Sequence, residues 1–195
     1  ATFNTIWRQI GEHLGAYKSY PRIVGETGGK NFIFAHPSAP ANEVAAAIVR
    51  GAFEYQGQKC SAGSRAYIPV SLWKEVKERV GDMLKEIKTG DVRDFTNFVN
   101  AVIDETSFDN IMGYIEHARQ APDAEILFGG KGDKSVGYFV EPTVILTTNP
   151  AFKTMTEEIF GPVITIYVYE DHAYEETLEL CDRTSPYGLT GSIFS

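Results

Sequence analysis

Segments with the apolar spacing of α-helices alternate along this chain with short runs that are typical of β-strands. A helix between two strands is long enough to return the second strand parallel to the first, so this alternation favours parallel pairing. The pattern therefore predicts an α/β fold in which a largely parallel sheet is flanked by helices. Neither an internal repeat nor a low-complexity tract interrupts the pattern.

Five segments have helical spacing of their apolar residues, and seven runs have strand character. We predict helices at 1–14, 42–55, 71–87, 107–121 and 172–181, with Asn42 and Ser71 as N-caps of the second and third. We predict strands at 22–24, 31–34, 66–70, 125–128, 138–146, 163–169 and 188–194. Because the first helix already starts at Ala1, we expect the chain to begin inside a larger protein. A domain boundary is predicted at the glycine loop that follows residue 24, giving domains of residues 1–25 and 26–195.

The charge and the sparse cysteines narrow the classes of function. The net charge is −8, and the 18 lysines and arginines are spread without a basic stripe, which argues against a nucleic-acid partner. No apolar run approaches the length that crosses a bilayer, so no membrane partner is predicted. Cys60 and Cys181 are too few for a disulfide framework, which fits a reducing compartment. Neither they nor the four scattered histidines have metal-site spacing, so no metal is predicted.

Cys60 follows a predicted helix in a segment, residues 56–65, that is rich in glycine and charge. A cysteine thiolate is a strong nucleophile, and the basic side chains of Lys59 and Arg65 favour it. Flanking glycines let backbone amides approach a ligand closely. A small buried core cysteine is an equally good interpretation of this segment taken alone. Cys181 lies on an apolar helix face, where packing is the better interpretation.

Two acidic loops hold further candidates. Glu26 lies in the run Gly25–Lys30, directly after the predicted strand 22–24, where a carboxylate is well placed to act as a general base. Glu158 lies in the run Glu157–Pro162, just before the predicted strand 163–169. Taken alone, each of these two glutamates is better interpreted as a loop carboxylate that faces water than as a functional group. The glycines near Glu26 do not form the G-x-G-x-x-G pattern of a Rossmann fold.

Five motifs, in order, resemble those of the aldehyde dehydrogenase superfamily. Residues 25–30 resemble its E-[LTC]-G-G-K loop, and Cys60 follows at the right interval in a G-Q-x-C context. The other three matches resemble its G-Y-[FY]-x-x-P-T strand, its E-E-[IP]-F-G-P signature and its Y-G-L segment, at residues 137–143, 157–163 and 187–190. Within the superfamily, residues 53–62 look most like the Δ1-pyrroline-5-carboxylate dehydrogenases, which oxidise glutamate γ-semialdehyde.

The resemblance implies NAD(P)-dependent oxidation of an aldehyde to a carboxylic acid through a cysteine thiohemiacetal and a thioester. By motif, Cys60 is the nucleophile and Glu26 activates the hydrolytic water. Ser61 is expected to help hold the amino-acid end of the substrate. The small-molecule aldehyde that fits best is glutamate γ-semialdehyde, oxidised to glutamate in proline catabolism.

The resemblance also implies where the cofactor, NAD or NADP, binds. Glu158 matches the position that hydrogen-bonds the nicotinamide ribose, and Phe160 matches the residue that packs beside that ribose. Thr27 and Gly28 are expected at the cofactor as well. Residues 1–25 would be the C-terminal remnant of a Rossmann-like cofactor domain, and residues 26–195 an incomplete catalytic domain.

The parent protein is expected to be a homo-oligomer, mitochondrial in a eukaryote and cytoplasmic in a bacterium. Two alternatives stay open. The parent could be another semialdehyde or aliphatic aldehyde dehydrogenase, or the chain could be a non-catalytic fragment or assembly module that retains the motifs. The 195 residues on their own are expected to be inactive.

Overall fold

In the computed structural model, which describes residues 2–195, eight β-strands and six α-helices follow one another along the chain. The strands are β1 (Asn31–Ala35), β2 (Gly63–Pro69), β3 (Ala124–Phe128), β4 (Gly132–Asp133), β5 (Phe139–Val140), β6 (Thr143–Thr147), β7 (Val163–Tyr169) and β8 (Gly191–Phe194). The helices are α1 (Thr2–Glu12), α2 (Ala41–Phe53), α3 (Val70–Glu86), α4 (Glu105–Gln120), α5 (Lys153–Thr156) and α6 (Tyr174–Thr184). Short 3₁₀ turns lie at Leu14–Ala16, Glu54–Gly57 and Asp171–Ala173.

Six of the strands form one sheet in the order β3-β6-β7-β2-β1-β8. Strands β6, β7, β2, β1 and β8 are all parallel to one another. Only β3, at one edge, runs antiparallel to β6. The short strands β4 and β5 pair with each other in a separate antiparallel ribbon. The prediction of an α/β fold with a largely parallel sheet is confirmed.

Helices cover both faces of the sheet. Successive side chains of a strand point to opposite faces, so each strand contributes to two hydrophobic clusters. In β1, Ile33 packs in one hydrophobic cluster with residues of α2 and α3, whereas Phe34 packs in the other with residues of α4 and α6. Strand β2 divides in the same way, with Ile68 in the first cluster and Tyr67 in the second. All four of these strand side chains are at most 4% exposed. The sheet is therefore the rigid middle layer that holds the loops at its edges.

The predicted strand at 22–24 is wrong. Residues 17–30 form no regular secondary structure, and Val24 is 90% exposed. An apolar run of three residues becomes a strand only when another strand pairs with it, because strand preference depends on its neighbours. No strand of the described chain pairs with this run. Glu26 therefore precedes the amino end of β1 and does not follow the carboxyl end of a strand.

Other boundaries also differ from the prediction. The expected strand 138–146 is divided into β5 and β6, because Pro142 lies between them and has no N–H to give a ladder. Helices α2 and α3 begin after Pro40 and Pro69, so Asn42 and Ser71 are not N-caps. The Ser71 N–H donates instead to Asp171 Oδ1 at 3.1 Å. The predicted helical start at Ala1 lies outside the described residues, and α1 runs from Thr2.

Because they are parallel, the neighbouring strands β8, β1, β2 and β7 all begin at the same end of the sheet. The loop of residues 25–30 leads into β1, and the turn of residues 59–62 leads into β2. Residues 157–162 lead into β7, and residues 187–190 lead into β8. Because β8, β1, β2 and β7 are neighbours in the sheet, these four loops are adjacent.

Candidate active site

A cleft of about 480 Å³ opens where these four loops meet. It contains six of the seven predicted site residues. The residues that line it are Gly25, Glu26, Thr27, Gly28, Cys60, Glu158, Phe160, Pro186, Tyr187, Gly188 and Leu189. Residues as distant in the sequence as Gly25 and Leu189 thus share one cleft. The interpretation of Cys60 as a buried core residue is excluded, because its side chain is exposed.

Two glycines allow the loops to approach this closely. A Cβ atom on Gly29 would lie 2.6 Å from the carbonyl oxygen of Cys60, and one on Gly28 would lie 2.7 Å from the ring of Tyr187. Both distances are well inside van der Waals contact, so a side chain at either position would push the loops apart. Gly29 is thus needed for close packing against the Cys60 backbone, and Gly28 for close packing against the Tyr187 ring.

Backbone donors hold the acidic loop against the glycine loop. The Gly29 N–H donates to Glu158 Oε1 at 2.8 Å, across 129 positions of sequence. A hydrogen bond to a charged acceptor is stronger than one between neutral groups. It therefore fixes the Glu158 carboxylate at the cleft. Glu157, its neighbour, is turned to the other side and accepts a hydrogen bond from the Tyr114 hydroxyl at 2.7 Å.

The turn that carries Cys60 is fixed by Asn31, the first residue of β1. The side-chain N–H groups of Asn31 donate to the carbonyl oxygens of Cys60, at 2.7 Å, and of Ala62, at 2.9 Å. Its Oδ1 accepts from the Thr190 N–H at 3.0 Å. The sequence analysis did not single out Asn31, although it directly follows the run Gly25–Lys30.

Beneath the cleft lies a buried pair of basic side chains, Lys30 and Arg65. The sequence analysis named Arg65 only as a neighbour that favours the Cys60 thiolate, and it missed Lys30. Lys30 is 1% exposed and Arg65 is 2% exposed. Lys30 Nζ donates to Ser64 Oγ at 2.5 Å, and Arg65 Nε donates to the carbonyl of Lys30 at 3.0 Å. Burial, followed by the positive charge of Arg65, lowers the pKa of Lys30 to about 7, while Glu158 acts in the opposite direction. Its immediate neighbours in the sequence, Gly29 and Asn31, gave no sign that this lysine is enclosed.

Left-handed backbone occurs at Phe160, which lines the cleft, and at residues 55–57, which precede the Cys60 turn. Tyr55, Gln56 and Gly57 have φ values of 54°, 58° and 64°, just before the Cys60 turn, and Phe160 has a φ of 61°. Non-glycine residues adopt this conformation only at some energetic cost, so the surrounding contacts must impose it. Buried Gln56 makes one such contact, since its Nε2 donates to the carbonyl of Ala101 at 3.3 Å. At Phe160 the conformation leaves the ring 44% exposed beside Glu158.

Ser61 is the one predicted site residue that does not line this cleft. It lines a second cleft, of about 360 Å³, on the other side of the Cys60 turn. The hydroxyl-bearing residues Thr190 and Ser192 line the same second cleft, together with Arg50. A larger groove, of about 840 Å³, borders Phe160 on its far side and includes none of the other predicted residues.

Cys181 behaves as predicted from its position on a helix face. It is 1% exposed in α6, and burial raises the pKa of its thiol. Its backbone carbonyl accepts a hydrogen bond from Arg65 Nη1 at 3.0 Å. The two cysteines therefore differ sharply, since only Cys60 is open to a reagent in solution.

A sequence profile described as "Aldehyde dehydrogenase family" matches residues 4–195. The chain belongs to the aldehyde dehydrogenase family. Its arrangement of cysteine, glycine loop and acidic loop can therefore be compared with relatives over nearly the whole chain.

The similar relatives are Δ1-pyrroline-5-carboxylate dehydrogenases. The mitochondrial enzyme of Dictyostelium discoideum is 61% identical over 99% of this chain, and the human mitochondrial enzyme is 51% identical over 100% of it. In both cases the match covers 35% of the relative. The chain thus spans about a third of the length of these curated relatives. The resemblance to this group within the aldehyde dehydrogenases is confirmed.

Solved structures of aldehyde dehydrogenases agree with the fold. The Δ-pyrroline-5-carboxylate dehydrogenase of Mycobacterium tuberculosis bound with NAD superposes with a TM-score of 0.91 and 43% identity, over 100% of this chain and 35% of that one. A 1-pyrroline-5-carboxylate dehydrogenase from Thermus with bound NAD gives a TM-score of 0.88 at 31% identity, over 98% of this chain and 36% of that one. No helix among residues 2–195 is long and apolar enough to cross a membrane.

Proposed function

We propose that this chain carries the nucleophile and the hydrolytic base of an NAD-dependent aldehyde dehydrogenase that oxidises glutamate γ-semialdehyde to glutamate. The observation that carries the proposal is the meeting of Cys60, Glu26 and Glu158 at one cleft. The names of the relatives support the choice of substrate, since those proteins are Δ1-pyrroline-5-carboxylate dehydrogenases. Glutamate γ-semialdehyde is the open-chain form of Δ1-pyrroline-5-carboxylate.

The side chains at the cleft suit the two halves of the reaction. The Cys60 thiolate attacks the aldehyde carbon and forms a thiohemiacetal, which becomes a thioester when its hydride leaves. Bound NAD supplies the acceptor for that hydride. Glu26 then takes a proton from a water molecule, which attacks the thioester carbon, so the carboxylic acid is released and Cys60 is restored. The backbone N–H of Cys60 is one donor for the oxyanion.

The residues of the acidic loop fit a nicotinamide ribose. Glu158 uses Oε1 for the bond from Gly29, and a fixed carboxylate accepts hydrogen bonds from ribose hydroxyls readily. The exposed ring of Phe160 offers an apolar surface beside it. Thr27 and Gly28 line the same cleft and complete this side of the proposed cofactor site.

The division of the chain and its wider context are part of the proposal. We place residues 1–25 with a cofactor-binding domain and residues 26–195 with the catalytic domain, which accords with the absence of buried residues in α1. We propose a homo-oligomeric parent that acts on a small aldehyde. We place it in the mitochondrial matrix if the source is eukaryotic and in the cytoplasm if it is bacterial. The names of the Dictyostelium and human relatives support a mitochondrial location, since both are called mitochondrial.

Substitution of Cys60 in the full-length parent tests the proposed nucleophile. Cys60→Ser should abolish NADH formation from glutamate γ-semialdehyde, because a hydroxyl is a far weaker nucleophile than a thiolate. Cys181→Ser is the matched control and should retain turnover, since that thiol is buried in α6. Near-normal turnover of Cys60→Ser would remove Cys60 from the mechanism.

Glu26→Gln separates the second half of the reaction from the first. Without the base, thioester hydrolysis slows while thioester formation continues, so rapid mixing should show a burst of NADH followed by a slow steady state. If the burst and the steady state decline equally, Glu26 positions the loop and is not the base.

A further inference from the structure

The carbonyl oxygen of Cys60 is held between two residues of one short segment. It lies where a Cβ atom on Gly29 would approach within 2.6 Å, and it accepts a hydrogen bond from Asn31 Nδ2 at 2.7 Å. The same amide nitrogen donates to the carbonyl of Ala62 at 2.9 Å. Two carbonyls of the tight turn 59–62 are thus tied to the first residue of a buried strand.

The hydrogen-bonding capacity of the Asn31 amide is matched to its surroundings. A side-chain amide has two N–H donors and one carbonyl acceptor. Here Nδ2 serves the Cys60 and Ala62 carbonyls, and Oδ1 accepts from the Thr190 N–H at 3.0 Å. Asn31 is only 4% exposed, so water does not compete freely for these partners. An aspartate of the same shape would direct a negative oxygen at two carbonyl oxygens, so the site requires an amide.

The bond to Thr190 links the Cys60 turn to the loop that separates the two clefts. Tyr187, Gly188 and Leu189 of this loop line the cleft that contains Cys60. Thr190 itself lines the second cleft, together with Ser61. One side chain therefore sets the relative position of the nucleophile and of a wall shared by both clefts.

We propose that Asn31 is a positioning residue for the Cys60 nucleophile, acting by clamping the Cys60 turn to the loop of residues 187–190. This inference rests on the proposed function, because it takes Cys60 as the nucleophile. Attack on a carbonyl carbon needs the sulfur and the oxyanion donor in a defined relative orientation, and a displacement of about 1 Å can cost a hundredfold in rate. Simple alkylation of an exposed thiol has no oxyanion to place, so it depends far less on that orientation.

The test compares two reactions of Cys60 in the full-length parent, and neither needs NAD. With p-nitrophenyl acetate, the thiolate forms a bond to the acetyl carbon, and the carbon–oxygen bond breaks to release p-nitrophenolate with its electron pair. With iodoacetamide, the thiolate displaces iodide. Asn31→Ala should lower the rate constant of the p-nitrophenolate burst about tenfold to a hundredfold. It should keep the alkylation rate constant of Cys60 within about threefold, because the thiol remains exposed.

Asn149→Ala is the matched control. Asn149 also makes two side-chain hydrogen bonds, from Nδ2 to Asp123 Oδ2 at 2.9 Å and to Oδ1 from the Ala151 N–H at 2.9 Å. Asn149 follows the carboxyl end of β6, whereas Cys60 precedes the amino end of the parallel strand β2, so the two residues lie at opposite ends of the strands. Its burst rate constant should stay within about twofold of the wild-type value, because distant sites contribute independently.

Three outcomes would overturn the assignment of Asn31. The first is a wild-type burst rate constant in Asn31→Ala, and the second is a lower burst amplitude with an unchanged rate constant, which is the mark of misfolding alone. The third is an equal decrease in both reactions. If Asn31→Ala does not fold, Asn31→Ser carries the test, since its hydroxyl replaces one donor and should give a smaller but measurable decrease. Failure of the proposed function is distinguishable, because the burst would then persist in Cys60→Ser.

Discussion

Replacing Gly29 by alanine tests whether the cleft depends on backbone-to-backbone contact. The added methyl would lie 2.6 Å from the carbonyl oxygen of Cys60, an atom that cannot rotate away because Asn31 holds it at 2.7 Å. Gly29 is not among the left-handed glycines of residues 2–195, so backbone strain is not the cause of the expected effect. Relief of the contact must move either the Cys60 turn or the glycine loop.

The size of the effect follows from these two routes. Insertion of a methyl into a packed site costs about 1–3 kcal/mol. If the loop moves instead, the bond from the Gly29 N–H to Glu158 Oε1, now 2.8 Å long, is weakened. A hydrogen bond to a charged group is worth about 1.5–3 kcal/mol. Either route predicts a decrease in kcat/KM of roughly tenfold to a hundredfold in the parent enzyme.

Two assays separate the routes, and a second glycine supplies the control. Movement of the Cys60 turn should slow ester acylation in the absence of NAD, whereas movement of the glycine loop should raise the KM for NAD. Gly113 lies in α4, and a Cβ atom added there meets nothing within 4 Å. Gly113→Ala should therefore stabilise the protein by up to about 1 kcal/mol and leave turnover unchanged. Wild-type kcat/KM in Gly29→Ala would refute the argument.

Three further predictions concern the substrate, a buried lysine and the two thiols. Ser61→Ala should lower kcat/KM for glutamate γ-semialdehyde about tenfold to a hundredfold more than for propanal, and equal losses would mean that Ser61 supports the nucleophile only. Burial lowers the pKa of Lys30 to about 7 from 10.5, so the unfolded chain binds the proton more tightly and stability linked to Lys30 rises with pH across that window. In parallel urea titrations, the free energy of unfolding of the wild type should rise relative to Lys30→Met by about 1.4 kcal/mol per pH unit, and a constant difference would contradict the lowered pKa. Iodoacetamide, followed by peptide mapping, should modify Cys60 long before Cys181, whose thiol is buried and has a raised pKa; equal labelling would contradict these environments.

The fold class could be predicted because it depends on periodicity, which is a local property of the sequence. The apolar repeats of α2, α3 and α4 and the strands β1, β2, β3 and β7 agree with the predicted segments to within a few residues. The antiparallel edge strand β3 could not be foreseen, since the direction in which a strand adds to a sheet depends on the path of the chain between them. The strand expected at 22–24 does not form, because an apolar triplet has no intrinsic strand preference strong enough to act without a pairing partner.

The sequence by itself supplied the candidate side chains, and the resemblance of its five motifs to aldehyde dehydrogenases assigned their roles. Residue chemistry made the cysteine, the two glutamates and the glycines possible as nucleophile, base, ribose ligand and close backbone contacts, and the order and spacing of the motifs selected those roles. The meeting of these residues at the amino edge of the sheet was decided only by the tertiary structure, as was the exposure of Cys60. So were the clamp made by Asn31, the enclosure of Lys30 and the left-handed backbone at Phe160. Hydrogen bonding, burial and backbone strain depend on residues that are distant in sequence, so only the folded chain defines them.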